Sequence, residues 1–304
     1  MFTGVIPILA TPFHDDESLD LDSLARLVRF NLEVGVDGLT VLGVLGEANR
    51  LTDGERLRVM EAVIEAAGSR PVVVGASYAG TATTIEASRT AIERGAAGVM
   101  IMPPTLPVPS DGAVLEYFKR VGAQIAAPIV LQDHPVTSQV HMSVDFILRL
   151  IREVPAIAAI KAEAVASPSK IAALKTGMSG QRQISVLSGL GALYGLFDLE
   201  RGSDGFNTGF AFPEVLCAML AEFRGGNLDA ARRIFTRYLP LIVFEQQPGV
   251  AIRKEMLRRR GLIAGSRVRH PGATIDPATS EQLLRLLEAT FGDVDITKPI
   301  NVAR

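Results

Sequence analysis

Lys161 directly follows a short apolar run, residues 156–160, and is the residue of this sequence that most clearly suggests chemistry. A short continuous apolar run is typical of a strand buried on both faces. A lysine rarely lies deep inside a protein unless another group pairs with it or uses it. An uncharged amine is a nucleophile, and desolvation favours the uncharged form of a lysine. The pattern therefore predicts a nucleophilic amine that attacks a carbonyl group; the alternative is a lysine that points into water.

A second feature is the turn Gly43-Val44-Leu45-Gly46, which follows another apolar run. Two glycines around a tight turn leave successive backbone N–H groups free to point to one side. Such a nest of N–H groups binds a carboxylate. The alternative is an ordinary turn between a strand and a helix.

The elements that must position these residues alternate regularly. Apolar runs predict strands at residues 5–11, 38–44, 72–76, 98–102, 129–132, 156–161, 184–187 and 204–207. Helical patterns follow them at residues 20–34, 52–67, 81–94, from 111, 143–153, 168–175, 192–200 and 213–224. Strands that alternate with helices predict a parallel sheet. Eight such units, with strands apolar on both faces, predict an α/β fold that closes into a (β/α)8 TIM barrel.

A barrel enzyme carries its site at the carboxyl ends of the strands. Five of the six lysines fall in helical patterns or in the tail, and Lys161 alone ends a strand. Gly43, Gln132, Gly189 and Asn207 stand at or just after the ends of other strands. We therefore expect Gly43, Gly189 and Asn207 to help bind a substrate at the same mouth.

The chain is expected to divide into two regions. Residues 1–225 form the catalytic barrel, and residues 226–304 form a C-terminal helical appendix with helices at 228–244, 250–260 and 280–290. Gly225-Gly226 marks the boundary, since paired glycines interrupt helices.

Composition excludes several classes of function. The formal net charge of −2 does not favour nucleic acid or an anionic membrane as partner. The basic run at residues 258–260 is expected to be a solvated helix end. The single cysteine, Cys217, lies in a helical pattern and is expected to be a buried structural thiol in a reducing compartment. There is no signal-peptide pattern and no apolar run approaching 18 residues, so the protein is predicted to be cytoplasmic.

Two further patterns could indicate a nucleotide cofactor or a metal ion, but the surrounding sequence argues against both. Residues 189–195 resemble a dinucleotide-binding glycine loop, yet they follow the seventh strand, and no acidic residue closes a later strand in the required register. The four histidines are not spaced as metal pairs. His134 lies in a possible site loop, although a surface role is favoured. We therefore expect no cofactor and no metal.

The chain resembles the dihydrodipicolinate synthase / N-acetylneuraminate lyase family over nearly its whole length. The matching features are Phe2-Thr3-Gly4-Val5, Gly43-x-x-Gly46-Glu47, Lys161, Ser188-Gly189 and the segment 205–213. The resemblance implies a (β/α)8 barrel, usually a homotetramer, with a lysine that forms a Schiff base with pyruvate or another 2-oxo acid and no metal or organic cofactor. It implies that Lys161 is that lysine and that the N–H groups of Val44 and Leu45 hold the substrate carboxylate.

The chain departs from the pattern of the synthases at several positions. Two threonines of the glycine turn are replaced by Val44 and Leu45, the tyrosine that ends strand five by Gln132, and an arginine five residues later by Thr137. Thr105 and Leu106 stand where the synthases carry a tyrosine pair. The resemblance therefore implies that the hydroxyl relay of the synthases and their arginine for a dicarboxylic substrate are missing.

Gln132-Asp133-x-Pro135 and Lys161-x-Glu163 look more like the 2-keto-3-deoxy sugar acid dehydratases of the same family. In these enzymes the imine forms, a base removes the C3 proton, and the C4 hydroxyl leaves as water. Glu163 is the candidate acid and base, since side chains alternate along a strand and burial would raise its pKa. The alternative is a solvent-facing or ion-paired Glu163. Gln132 cannot transfer protons but can orient a water or hydroxyl.

The sequence therefore predicts a Schiff-base lyase that acts on a small 2-oxo acid by dehydration or by aldol cleavage or condensation through Lys161. The first alternative is dihydrodipicolinate synthase (4-hydroxy-tetrahydrodipicolinate synthase), which condenses pyruvate with aspartate semialdehyde. A second is a non-catalytic barrel that binds a 2-oxo acid. A third is an oxidoreductase that uses the loop at Gly189.

Overall fold

A closed ring of parallel strands forms the centre of the computed structural model, which describes residues 2–247 and 249–302. The strands of this described part are β1 (Gly4–Val5), β2 (Leu39–Val41), β3 (Val72–Gly75), β4 (Gly98–Ile101), β5 (Ile129–Asp133), β6 (Ile157–Ala162), β7 (Ser185–Ser188) and β8 (Gly205–Phe206). Their order in the sheet is β1-β8-β7-β6-β5-β4-β3-β2, and every pair is parallel.

The ring closes between the first and second strands. Thr40 of β2 donates its N–H to the carbonyl of Pro7 at 2.8 Å, and the Leu9 N–H donates to the Thr40 carbonyl at 2.9 Å. Ile8 and Thr40 thereby form a parallel bridge just beyond β1. The predicted (β/α)8 barrel is confirmed.

Helices cover the outside of the ring. In the described residues they are α1 (Leu21–Glu33), α2 (Asp53–Ala67), α3 (Thr81–Glu93), α4 (Asp111–Gln124), α5 (Pro135–Ser138), α6 (Val144–Glu153), α7 (Ser167–Gly177), α8 (Gly195–Glu200), α9 (Pro213–Arg224), α10 (Leu228–Phe244), α11 (Gly249–Arg259) and α12 (Pro277–Phe291). Short 3-10 turns span Ala48–Arg50 and Leu190–Ala192. Thr52 and Glu55 form a capping box at the start of α2.

Several strands and helices differ from the sequence prediction at their ends. The first strand was expected over residues 5–11 but ends at Val5, because Pro7 has no N–H to continue the ladder. The second ends at Val41, since Leu42 has a φ of 59° and turns the chain. The helix predicted at 192–200 begins only at Gly195. The one-turn helix α5 was not predicted.

The C-terminal helices agree with the prediction, but the surface role expected for the arginine run is wrong for Arg260. Its side chain is fully buried, and its guanidinium lies 4.6 Å from the ring of Phe30 and 4.2 Å from the ring of Phe212. Its Nη2 atom pairs with Glu214 Oε1 of α9 at 2.6 Å. Arg260 therefore joins the end of α11 to the barrel helices. The division at residue 225 stays a prediction.

Within residues 2–247 and 249–302, no helix has the length and apolar character needed to cross a membrane.

Candidate active site

Lys161 and Glu163 lie side by side at the carboxyl end of β6. Both are buried, with 4% and 6% of their surface exposed, and Lys161 Nζ is 3.0 Å from Glu163 Oε2. Gln132 of β5 is the register partner of Lys161, and its Nε2 donates to the same Glu163 oxygen at 2.7 Å. The structure thus brings the three predicted residues together. Lys161 does not point into water, and Glu163 is ion-paired.

The other oxygen of Glu163 is held by the loop after β7. Its Oε1 atom accepts the Leu190 N–H at 3.3 Å. The neighbouring Gly189 leaves room for the carboxylate, because a Cβ atom at this position would overlap Glu163 Cγ. The predicted site residue Gly189 therefore contributes the space in which Glu163 lies. The glycine loop at residues 189–195, which resembled a nucleotide-binding loop, packs against the Glu163 side chain.

The charge state of Glu163 differs from the sequence expectation. Burial raises its pKa, but the charge of Lys161, the charge that His134 carries when its imidazole is protonated, and the hydrogen bonds from Gln132 and Lys161 outweigh burial and lower the pKa overall. The expectation of a raised pKa is therefore wrong. A lowered pKa keeps Glu163 ionised, which is the form that accepts a proton.

The glycine turn after β2 presents free N–H groups at the same end of the barrel. The Glu47 N–H donates to the Val44 carbonyl at 3.1 Å and closes the turn. In the part of the chain that the structure describes, the N–H groups of Val44 and Leu45 donate to no protein acceptor. Gly43 packs closely, since a Cβ there would lie 2.9 Å from Ile8 Cγ2. These contacts suit a carboxylate nest, and its use stays a prediction.

A cavity of about 140 Å³ lies beside the glycine turn at the carboxyl ends of the strands. The turn residues Gly43 and Val44 line one part of it, and Gln132 lines another. Arg56 and Ser77 add polar groups to its wall. The cavity is therefore a small recess bordered by the glycine turn on one part and by Gln132, the hydrogen-bond partner of Glu163, on another.

A buried network behind the glycine turn was not found by sequence reasoning. Glu47 has a φ of 52°, and its Oε1 pairs with Lys254 Nζ of α11. Its Oε2 accepts Arg50 Nη1 at 2.8 Å and the Arg269 N–H at 3.0 Å. Burial lowers the pKa of Lys254 to about 8 in spite of the Glu47 charge. The partners are distant in sequence, so only the glutamate beside the turn could have been noticed.

Asn207 and Cys217 lie away from the cavity lining. Asn207 is buried, and its Nδ2 donates to the Ile6 carbonyl and to Thr40 Oγ1, both at 2.9 Å. It joins the end of β8 to the first two strands, and its predicted contact with substrate is not tested. Cys217 is half-buried, and burial raises the pKa of its thiol to about 12, which makes the thiol unreactive.

The surface role favoured for His134 is wrong. Its side chain is half-buried, and its Nδ1 atom is fully enclosed without a hydrogen-bond partner in the described part of the protein. Burial lowers the pKa of its imidazole, although Glu163 acts in the opposite direction. Among the residues described, no group of three or more His, Cys, Asp or Glu side chains is arranged to hold a metal ion.

The chain is similar to proteins of one family. A family model described as the dihydrodipicolinate synthetase family matches residues 1–290. An L-2-keto-3-deoxyarabonate dehydratase of Azospirillum brasilense is 35% identical over 289 residues, which are 93% of each chain. The crystal structure of a dihydrodipicolinate synthase from Rhodopseudomonas palustris has a TM-score of 0.91 and 37% identity, covering 94% of this chain and 97% of that one.

A third relative was solved with a 2-oxo acid. YagE, a prophage protein of E. coli K12 that was crystallised in complex with pyruvate, has a TM-score of 0.89 and 26% identity, covering 95% of this chain and 99% of YagE. The family model, the relatives of 35% and 37% identity and the barrel itself agree. The chain belongs to the dihydrodipicolinate synthetase family.

Proposed function

We propose that this protein is a class I lyase whose Lys161 forms a Schiff base with a small 2-oxo acid. We further propose that it dehydrates 2-keto-3-deoxy sugar acids. The observation that carries the proposal is the buried group of Lys161, Glu163 and Gln132, in which Glu163 Oε2 lies 3.0 Å from the amine and 2.7 Å from the amide nitrogen. The name of the Azospirillum brasilense relative supports the choice of substrate class.

The reaction begins when the neutral Lys161 amine attacks C2 and water leaves, which gives an iminium. The iminium withdraws electrons from C3, so Glu163 can remove a C3 proton. The electron pair of the C3–H bond then forms the C3–C4 double bond, and the C4–O bond breaks. Glu163 returns the proton to the departing hydroxyl, which leaves as water. Hydrolysis of the iminium finally releases the product and restores the amine.

The remaining groups of the site hold the substrate in place. The substrate carboxylate binds the N–H groups of Val44 and Leu45, while the Gln132 amide holds Glu163 and orients the hydroxyl that leaves. The YagE complex supports a 2-oxo acid ligand, since that relative binds pyruvate on the same fold.

Three other functions stay open as outcomes of the test. Aldol cleavage or condensation would use the same iminium. The name of the Rhodopseudomonas palustris relative favours dihydrodipicolinate synthase, whereas Gln132 and Thr137 replace the tyrosine and arginine that the synthases carry. A barrel that binds a 2-oxo acid without turnover would give an adduct and no product.

The proposal is tested by borohydride reduction in the presence of pyruvate and, separately, of a panel of 2-keto-3-deoxy sugar acids. Peptide mass spectrometry should place the adduct on Lys161, and Lys161→Ala should abolish it. Lys170→Ala serves as the control, because Lys170 lies behind the site on α7, paired with Asp133 at 2.6 Å. The sugar acid that is also consumed identifies the reaction. A folded protein that forms no adduct with any 2-oxo acid contradicts the proposal.

We also propose a homotetramer in the cytoplasm. The family resemblance supports the tetramer, and the single cysteine supports a reducing compartment. Light scattering of the purified protein measures the first, and cell fractionation the second.

A further inference from the structure

His134 lies where the chain leaves β5 and enters α5. Its carbonyl accepts the Ser138 N–H at 3.0 Å and Ser138 Oγ at 3.1 Å, which fixes the position of its backbone. Asp133 points outward, where its Oδ2 meets Lys170 Nζ at 2.6 Å, whereas Gln132 points inward to Glu163. Side chains alternate in extended chain, so His134 is on the side of Gln132.

The two nitrogens of the His134 ring have different surroundings. Nδ1 is enclosed and has no partner among the described residues, which is rare for a buried polar atom. Nε2 makes no hydrogen bond in that part of the protein either, and it is not enclosed. The ring therefore has one nitrogen that is fully enclosed and one that is not. An imidazole with this arrangement can pass a proton between the two sides.

Charged groups surround the ring on several elements. Glu163 and Lys161 of β6 and the adjacent Asp133 all act on the His134 imidazole, and Lys170 of α7 offsets the charge of Asp133. Burial is the largest influence and lowers the pKa of His134. The ring is therefore neutral in the resting protein near pH 7, and a neutral imidazole accepts a proton.

We propose that His134 carries the proton that Lys161 must lose before it attacks the substrate, and that it returns this proton during imine formation. The inference rests on the proposed function and assigns a proton carrier to its first step. In this barrel Gln132 replaces the tyrosine of the synthases, and the proposed proton carrier is an imidazole.

The Lys161 ammonium gives one proton to His134, and the resulting amine attacks C2 while the carbonyl π electrons move to oxygen. That oxygen takes a second proton from the nitrogen, which gives a carbinolamine. The His134 imidazolium then protonates the carbinolamine hydroxyl, which leaves as water as the nitrogen lone pair forms the iminium. Glu163 stays ionised throughout and is free to remove the C3 proton afterwards.

The test measures the rate at which pyruvate forms a borohydride-reducible adduct on Lys161, from about pH 5 to about pH 9. Pyruvate reports imine formation alone, because it has no C4 hydroxyl to lose. His134→Asn should slow the adduct about a hundredfold at pH 7, the usual contribution of general acid–base catalysis. The exposed His141 provides the matched control, and His141→Asn should react like the unmodified protein.

The pH profile and chemical rescue separate proton transfer from packing. In the unmodified protein the rate should fall as the pH drops through the lowered pKa of His134, because the protonated ring accepts no proton. In the His134→Asn protein the rate should no longer fall in this pH range. In His134→Ala, added imidazole should restore much of the rate, and added pyrazine, which is a weak base, should not.

Each outcome decides the inference. A folded His134→Asn protein with an unchanged rate and profile overturns it, as does His134→Ala that imidazole does not accelerate. If neither variant folds, a flat profile for the unmodified protein below neutral pH overturns it without any substitution. The absence of an adduct in the unmodified protein contradicts the proposed function itself, whereas an adduct that forms independently of His134 contradicts this inference alone.

Discussion

Lys161 and Glu163 are two ionisable side chains placed together out of water, which costs free energy unless the groups pair well. The 3.0 Å separation and the hydrogen bonds from Gln132 and Leu190 supply that pairing. A core built for stability alone would be served as well by apolar residues of similar volume. The pair is therefore better explained by chemistry than by stability.

The two roles of this pair can be separated by Glu163→Gln. The substitution removes the base that takes the C3 proton but keeps a side chain of the same size, so we expect dehydration to fall by about a hundredfold or more. Trapping with pyruvate should still label Lys161. The measurement is the rate of sugar acid consumption beside adduct formation, with the exposed Glu93→Gln as control. Full turnover by Glu163→Gln would remove Glu163 from the mechanism.

At the scale of single elements, the loop after β7 determines where the Glu163 carboxylate lies. Gly189 must lack a side chain there, and the Leu190 N–H fixes one oxygen. In the sequence alone, this loop resembles the glycine-rich segments that bind nucleotides. Packing against the carboxylate therefore gives the physical reason for the glycine.

Gly189→Ala tests this packing. The added methyl group would overlap Glu163 Cγ, so the carboxylate must move away from Lys161, and we expect turnover to fall at least tenfold while the fold is kept. Gly54→Ala is the matched control, because a Cβ at that helical position meets nothing within 4 Å. Alanine there should raise the free energy of unfolding by about 0.5–1 kcal/mol and leave turnover unchanged. A fully active Gly189→Ala protein would contradict the assigned packing.

The barrel, and the residues that meet in its candidate site, could be identified from the sequence because their signals are local. A buried strand shows as an apolar run, and Lys161, Glu163 and Gln132 stand at the ends of such runs. Arg260, His134 and the partner of Glu47 were not predictable. Their surroundings come from residues far away in the chain, and a composition pattern reports only on neighbours in sequence. The charge of Glu163 also depends on such contacts.

At the scale of the whole molecule, Glu245 connects the C-terminal helices to the barrel through a titratable contact. It follows α10, is fully buried, accepts the Ala211 N–H at 3.0 Å and pairs with Arg253 Nε at 3.0 Å. Burial raises the pKa of Glu245 to about 7, and Arg253 offsets only part of this effect. Glu245 therefore binds its proton more tightly in the folded protein than in the unfolded chain.

This contact makes stability depend on pH. A carboxyl group with a raised folded pKa contributes stability that is fully present below its unfolded value of 4.5 and is lost as the pH rises through about 7. We expect Glu245→Gln to reduce the difference in unfolding free energy between pH 5 and pH 8 by about 2 kcal/mol. Urea titrations at both pH values measure it, with the exposed Glu65→Gln as control. An unchanged difference would show that Glu245 titrates normally.

Substitution of Arg260 provides the strongest test that the C-terminal helices and the barrel unfold as one cooperative unit. Arg260→Ala would leave Glu214 buried without its partner and would remove the contacts with Phe30 and Phe212. We expect a loss of about 3–5 kcal/mol in the free energy of unfolding. Arg258→Ala, two residues earlier, should cost under about 1 kcal/mol, because the Arg258 side chain is 43% exposed and its buried partner Glu255 also pairs with Arg259 at 2.8 Å. Urea unfolding followed by circular dichroism measures both. If the two substitutions lower the free energy of unfolding equally, the buried pair does not hold the helices to the barrel. If the Arg260→Ala protein unfolds in two steps, the helices and the barrel unfold separately once the pair is lost.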